Sequence, residues 1–148
     1  MEIRTNSVWQ QGMQFVAESG GQKVPMDAKA PLGKGEGMTP KELVVIGLAG
    51  CTAMDVIALM RKHKQPIESL EVRSNAKTRE GGYPASFTSF ELVFVAKGAV
   101  DREKLLEAVH LSQTKYCGVS ATLVASAPIS YRVELNGEVV GTGNAHFA

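Results

Sequence analysis

The chain has 148 residues, a formal net charge of +1, 44% hydrophobic residues and 21% charged residues. Such a length and balance predict one globular domain, 1–148, that buries roughly 68–70% of its unfolded surface without disulfide or metal staples. The near-neutral charge and scattered Lys and Arg exclude an electrostatic footprint for nucleic acid or an anionic membrane surface.

Residues 1–28 alternate apolar and polar positions. Val8, Met13, Phe15, Val24 and Met26 predict short strands, with SGGQ as a turn between two of them. The opening MEIRTNSVWQQ lacks the apolar core of a secretory signal, so the expected location is the cytoplasm, where thiols stay reduced. KAPLGKGEG predicts a mobile loop, long enough to act as a lid.

TPKE is a helix-start signal. Thr39 can cap, Pro40 fits the first helical position, and Glu42 can close a capping box. The helix runs to about Lys62 or Lys64. Leu43, Val44, Val45, Ile46 and Leu48 leave almost no polar side, which predicts a helix buried all round. Gly47, Ala49, Gly50 and Ala53 are small and let another backbone come close. Gly47, Gly50, Thr52 and Asp55 interrupt the apolar run from Leu43 to Met60, so it reads as a core helix and not a membrane span. The basic RKHK suits the negative end of the helix dipole, and Pro66 prevents continuation.

Ile67, Leu70 and Val72 alternate again. EGGYP is a turn, and SFTSFELVFVAKG is the clearest strand, so the two form a hairpin. Asp101 caps a second helix, REKLLEAVHLSQTKY, which Gly118 breaks. VSATLVAS predicts a short third helix. Pro128 begins a last strand, ISYRVELNG, and EVVGTGNAHFA adds either an edge strand or a frayed tail. The order βββ-α-ββ-α(α)-β places strands in hairpin-linked runs, which argues an α+β fold with a largely antiparallel sheet.

Cys51 lies mid-way along the long helix, and Cys117 where the second helix breaks. As residue types, both suit small buried fillers. Pairing the two helices would instead bring the thiols within disulfide reach. Cys51 lies roughly 18 Å from the helix start, beyond help from its dipole. Cys117 precedes the short third helix, so local electrostatics favour Cys117 as the nucleophile. None of His63, His110 and His146 has metal-ligand spacing, so no metal is expected. LGKGEG lacks the Lys-Ser/Thr of a phosphate loop, and GLAGCTA falls inside a helix, so no nucleotide cofactor is expected.

Together, MTPKELVVIGLAGCTAMDVIALMRK and LSQTKYCGVSATL resemble the OsmC/Ohr family of thiol-dependent peroxidases. VPMDA, the Gly-rich loop and the hairpin between the helices fit the same plan. The likeness covers nearly the whole chain and is closer to the less characterised OsmC-like branch than to Ohr proper. It implies a sheet around two central helices in an intertwined homodimer. It implies that Cys51 attacks a hydroperoxide to give a sulfenic acid, that Cys117 resolves it to a disulfide, and that a dithiol, in some members a lipoylated protein, restores both thiols. Ohr members carry a catalytic Glu directly after the helix-start Pro. Here that position is Lys41, and the acid is Glu42, which is either a supporting catalytic group or the capping residue alone. The only Arg before Cys51 is Arg4, where Ohr members place a thiolate-holding Arg in the first hairpin. The alternative reading is a non-catalytic protein on the same scaffold that binds a hydrophobic small molecule or senses redox state.

Overall fold

Alternation over the first residues produces three antiparallel strands in the order β1-β2-β3: β1 (Asn6–Gln11), β2 (Gln14–Ser19) and β3 (Gln22–Met26). The β2–β3 turn uses Gly20 and Gly21 at φ 56 and 80, in the left-handed region that glycine tolerates. The computed structural model describes residues 1–148 and divides them into two compact units, Met1–Val44 and Val45–Ala148. In the first unit Val8, Trp9, Met13 and Phe15 are exposed, and Asp27 is the one fully buried residue.

Asp27 organises the loop that follows. Its carboxylate accepts N–H bonds from Ala28 (2.7 Å), Lys34 (3.3 Å) and Glu36 (3.1 Å). A buried carboxylate is tolerated when its lone pairs are filled in this way. Gly33 sits so close that a Cβ there would collide with the Ala28 carbonyl and the Asp27 carboxylate. The expected lid is therefore a loop wound around one acid.

The first helix, α1 (Pro40–Lys62), starts as its sequence predicts. The Glu42 N–H donates to Thr39 Oγ1 (3.2 Å) and the Thr39 N–H to Glu42 Oε1 (3.0 Å), which completes the capping box. The boundary between the two units falls within this helix, just past its first turn. Burial departs from expectation. Only Leu48, Thr52, Val56 and Met60 are fully buried, four residues apart along a single stripe. Ile46 and Met54 are exposed, and a Cβ built on Gly47 or Gly50 meets nothing within 4 Å. By length and composition α1 could cross a membrane. Its buried stripe, however, belongs to the hydrophobic core of the second unit.

In the second unit β4 (Ile67–Thr78) and β5 (Phe87–Gly98) form the predicted hairpin. Phe90, Leu92, Phe94 and Ala96 alternate inward from β5, each almost completely buried, as period-2 geometry requires.

 Ala96, the last of these four, is opposite Leu70 of β4. Helix α2 (Arg102–Leu111) is capped by Asp101, whose side chain accepts the Lys104 N–H (3.0 Å). A π-helical turn, Ser112–Tyr116, follows, and α3 (Gly118–Val124) begins directly after Cys117. Gly118 was expected to break the second helix. It is instead the first residue of the third, and the break falls at Cys117, whose backbone is extended (φ −73, ψ 102).

Strands β6 (Ile129–Leu135) and β7 (Glu138–Asn144) complete a four-stranded sheet in the order β4-β5-β6-β7, so the tail is a true edge strand. Its turn is Asn136-Gly137, both at positive φ (50 and 86), the geometry a two-residue hairpin favours. The β5–β6 pair is parallel and the other pairs are antiparallel. A parallel pair needs a long crossover, and the helical segment from α2 to α3 supplies it.

Candidate active site

The site grows from two places where regular structure is interrupted by polar residues. Thr52 and Asp55 lie three apart on α1, so they share a face. Ser112 and Gln113 open the π-helical turn, which ends with the Cys117 N–H bonded to the Ser112 carbonyl at 2.9 Å. A turn of this kind inserts an extra residue per helical turn and is frequent at functional sites.

Hydrogen bonds join the two elements. Ser112 Oγ donates to Asp55 Oδ2 at 2.9 Å. Thr52 Oγ1 and Ser112 Oγ lie 2.7 Å apart. Gln113 Nε2 donates to Thr52 Oγ1 at 2.9 Å. The serine has one proton and gives it to the carboxylate, so the Thr52 hydroxyl must be the donor to Ser112. The protons therefore all point one way, from Gln113 through Thr52 and Ser112 to Asp55. Thr52, Ser112 and Gln113 are fully buried, so each of these bonds replaces water that cannot enter.

The same two elements carry the cysteines: Cys51 precedes Thr52 on α1, and the Cys117 N–H closes the π-helical turn. The sulfurs of Cys51 and Cys117 and a carboxylate oxygen of Asp55 all lie within 4.8 Å of one another. Both thiols are free; Cys51 is half-buried and Cys117 is completely buried. Cys117 caps α3, and its sulfur accepts the Ser120 N–H at 3.3 Å. Burial nonetheless pushes its pKa from 9.0 up to about 11; the Ser120 hydrogen bonds oppose the rise and the neighbouring Cys51 adds to it. This corrects the expectation that Cys117 is the more readily ionised nucleophile. The cap is where the sequence predicts it, but the short helix α3 does not offset full desolvation.

The other expected participants have local partners. Glu42 closes its capping box and pairs with Lys29 at 3.4 Å, and the Thr39 N–H, the Thr39 hydroxyl and Lys29 lower its pKa in that order. Arg4 pairs with Glu2 at 2.8 Å. Cys51, Asp55 and Cys117 are also the residues near enough to converge on a metal ion. Metal binding would require both thiols to be deprotonated, and the burial of Cys117 works against that. An open cleft of about 470 Å³ beside α1 is lined by Met54, Ile57 and Leu70, among others, and neither cysteine contributes to its wall.

Sequence reasoning singled out the two cysteines and passed over Asp55, Thr52, Ser112 and Gln113. One signal was available. Asp55 stands four residues after Cys51 and three after Thr52 in an otherwise apolar helix, a spacing that sets all three on neighbouring positions of one surface.

Comparison with known proteins gives concordant matches. The family described as OsmC-like protein matches residues 33–132. Protein YhfA of Escherichia coli K12 is 32% identical over 133 residues, which cover 86% of this chain and 93% of that protein. A crystal structure of an OsmC like protein from Mycoplasma pneumoniae superposes with a TM-score of 0.80 at 16% identity, covering 91% of this chain and 97% of the other. An organic hydroperoxide resistance protein OsmC from Legionella pneumophila superposes with a TM-score of 0.70 at 16% identity, covering 90% and 97%.

Proposed function

Because this chain belongs to the OsmC-like protein family, we propose that it is a cysteine-dependent hydroperoxide reductase. The observation that carries the reading is the placement of two free sulfurs within 4.8 Å of each other, one half-buried and one sealed. The Legionella protein of the same fold is named for organic hydroperoxide resistance, which agrees with this substrate class.

The difference in burial supports a division of roles. Cys51 is the thiol a peroxide can reach, so it attacks the O–O bond. Its sulfur becomes a sulfenic acid, and the thiol proton leaves with the alcohol. Cys117, protonated and enclosed, is protected from direct oxidation and waits for that intermediate. Its attack forms the disulfide and releases water. An external dithiol, such as a lipoylated protein, then reduces the disulfide by exchange. A compartment that keeps thiols reduced, such as the cytoplasm, suits this cycle.

The active form in this reading is a homodimer. Exposed Ile46 and Met54 on α1, the open space at Gly47 and Gly50, and the uncovered first sheet are surfaces that a second copy would cover. A second reading, a non-catalytic redox sensor or a binder of an apolar small molecule, is favoured by the local partners of Arg4 and Glu42. In that case no cation is committed to the Cys51 thiolate.

Mass spectrometry after one equivalent of cumene hydroperoxide tests the proposal. Wild type should form a Cys51–Cys117 disulfide, Cys51→Ser should consume no peroxide, and Cys117→Ser should stop at the sulfenic acid. Full peroxide turnover by Cys51→Ser would refute it. A disulfide formed once, with no turnover under any dithiol, would favour the sensor.

A further inference from the structure

Closing the disulfide raises a proton problem that the two cysteines do not solve by themselves. The step converts Cys51–SOH and Cys117–SH into Cys51–S–S–Cys117 and water. The S–O bond of the sulfenic acid breaks and the S–S bond forms. The Cys117 proton must leave its sulfur, and the departing hydroxyl must receive one. Cys117 is sealed from solvent and its thiol holds the proton tightly, so bulk water is a poor base for the first half of the exchange.

One carboxylate is positioned to serve both halves. Asp55 has an oxygen within 4.8 Å of each sulfur. The Ser112 hydroxyl ties it down, backed by Thr52 and Gln113. All the donors in that chain point toward Asp55, and none of them can accept its proton without reversing the whole series. The remaining lone pairs of the carboxylate are thus left for the sulfur side. Ser120 supplies an N–H to the Cys117 sulfur, where negative charge develops as the proton leaves. Cys51 and Asp55 of α1 are titratable groups within 4.8 Å of the Cys117 sulfur.

We propose that Asp55 is the proton relay of disulfide closure, taking the proton from Cys117 as its sulfur attacks and returning it to the hydroxyl that leaves Cys51. This rests on the hydroperoxide reading above for its substrate. The gap closes by rotation of the side chains or through one water, because catalytic hydrogen bonds commonly tighten only as reaction proceeds. The carboxylate is unchanged at the end of the step, so no further oxidant, reductant or proton donor is needed.

The test separates this step from peroxide chemistry. One equivalent of dithionitrobenzoate converts the accessible Cys51 of the full-length protein to a mixed disulfide and releases one thionitrobenzoate. Attack by Cys117 then releases a second, followed by absorbance. Asp55→Asn should slow the second release, a first-order step read separately from the first, by about 10²-fold at neutral pH, the usual scale of a general base. Asp55→Glu should recover part of the rate. Raising the pH toward 10 should narrow the gap between Asp55→Asn and wild type, because hydroxide replaces the missing base; a purely structural defect would not be repaired in this way. Circular dichroism checks that the variants are folded. A second release at the wild-type rate in Asp55→Asn would overturn the proposal, as would a slow release that does not respond to pH. Failure of wild type to consume hydroperoxide would refute the proposed function alone, because the thionitrobenzoate assay does not involve peroxide.

Discussion

Ser112→Ala is the most informative single perturbation of the buried polar chain. The hydroxyl it removes makes two bonds, one with Thr52 at 2.7 Å and one with Asp55 at 2.9 Å. A neutral hydrogen bond contributes about 0.5–1.5 kcal/mol and one to a charged group about 1.5–3 kcal/mol. The Thr52 proton then points at a methyl group in a space without water, while Thr52 Oγ1 keeps its bond from Gln113. The combined cost is about 2–4 kcal/mol, a large share of the 5–15 kcal/mol that typical domains possess. For a chain of this size it corresponds to a fall in Tm of about 5–15 °C.

Urea unfolding of the reduced proteins, at one protein concentration, measures the change. The expected signature is a lower midpoint with an unchanged slope, because the folded surface stays the same. Thr122→Ala is the control, since that hydroxyl bonds the Gly118 carbonyl at an exposed position and should shift stability by less than about 0.5 kcal/mol. If Ser112→Ala cost no more than the control, the chain would not be a desolvated network, and its one-way polarity would lose its meaning.

Two further outcomes follow from burial. A thiol whose pKa is raised by folding stabilises the protein fully below its ordinary value of 9.0 and loses that contribution as pH climbs through about 11. Cys117 therefore contributes about 2–3 kcal/mol that disappears across this window, and the stability gap between reduced wild type and Cys117→Ala should shrink from pH 8.5 to 10.5; a constant gap would contradict the burial argument. Met54 is 75% exposed on α1, and if a second copy covers it, Met54→Glu should shift sedimentation from dimer to monomer, whereas an unchanged dimer would mean that the contact lies elsewhere.

The elements readable in the sequence are those fixed by local chemistry. Thr39, Pro40 and Glu42 specify the start of α1 because the partners of the cap lie within one turn. Asn136-Gly137 sets the last hairpin because two successive positive φ angles suit few other pairs. The parallel β5–β6 pair was not readable, since strand alternation is the same in either direction and only the path of the crossover decides it. Nor was the extent of α1 burial. Composition records that a surface is apolar, while burial depends on what covers it, and this chain covers one stripe.

The cysteines show where local rules meet tertiary ones. The rule that a helix start acidifies a thiol placed Cys117 at a cap correctly and still gave the wrong direction, because the same fold that forms the cap removes solvent from the sulfur. Asp55 shows the converse. In the sequence it was an interruption that argued against a membrane span. In the fold it is the end of a run of three hydrogen bonds that includes Ser112 and Gln113, which no local pattern connects to it. In the proposed cycle, a buried thiol that is hard to ionise and a carboxylate held beside it would give Cys117 protection while idle and a base at hand once the sulfenic acid has formed.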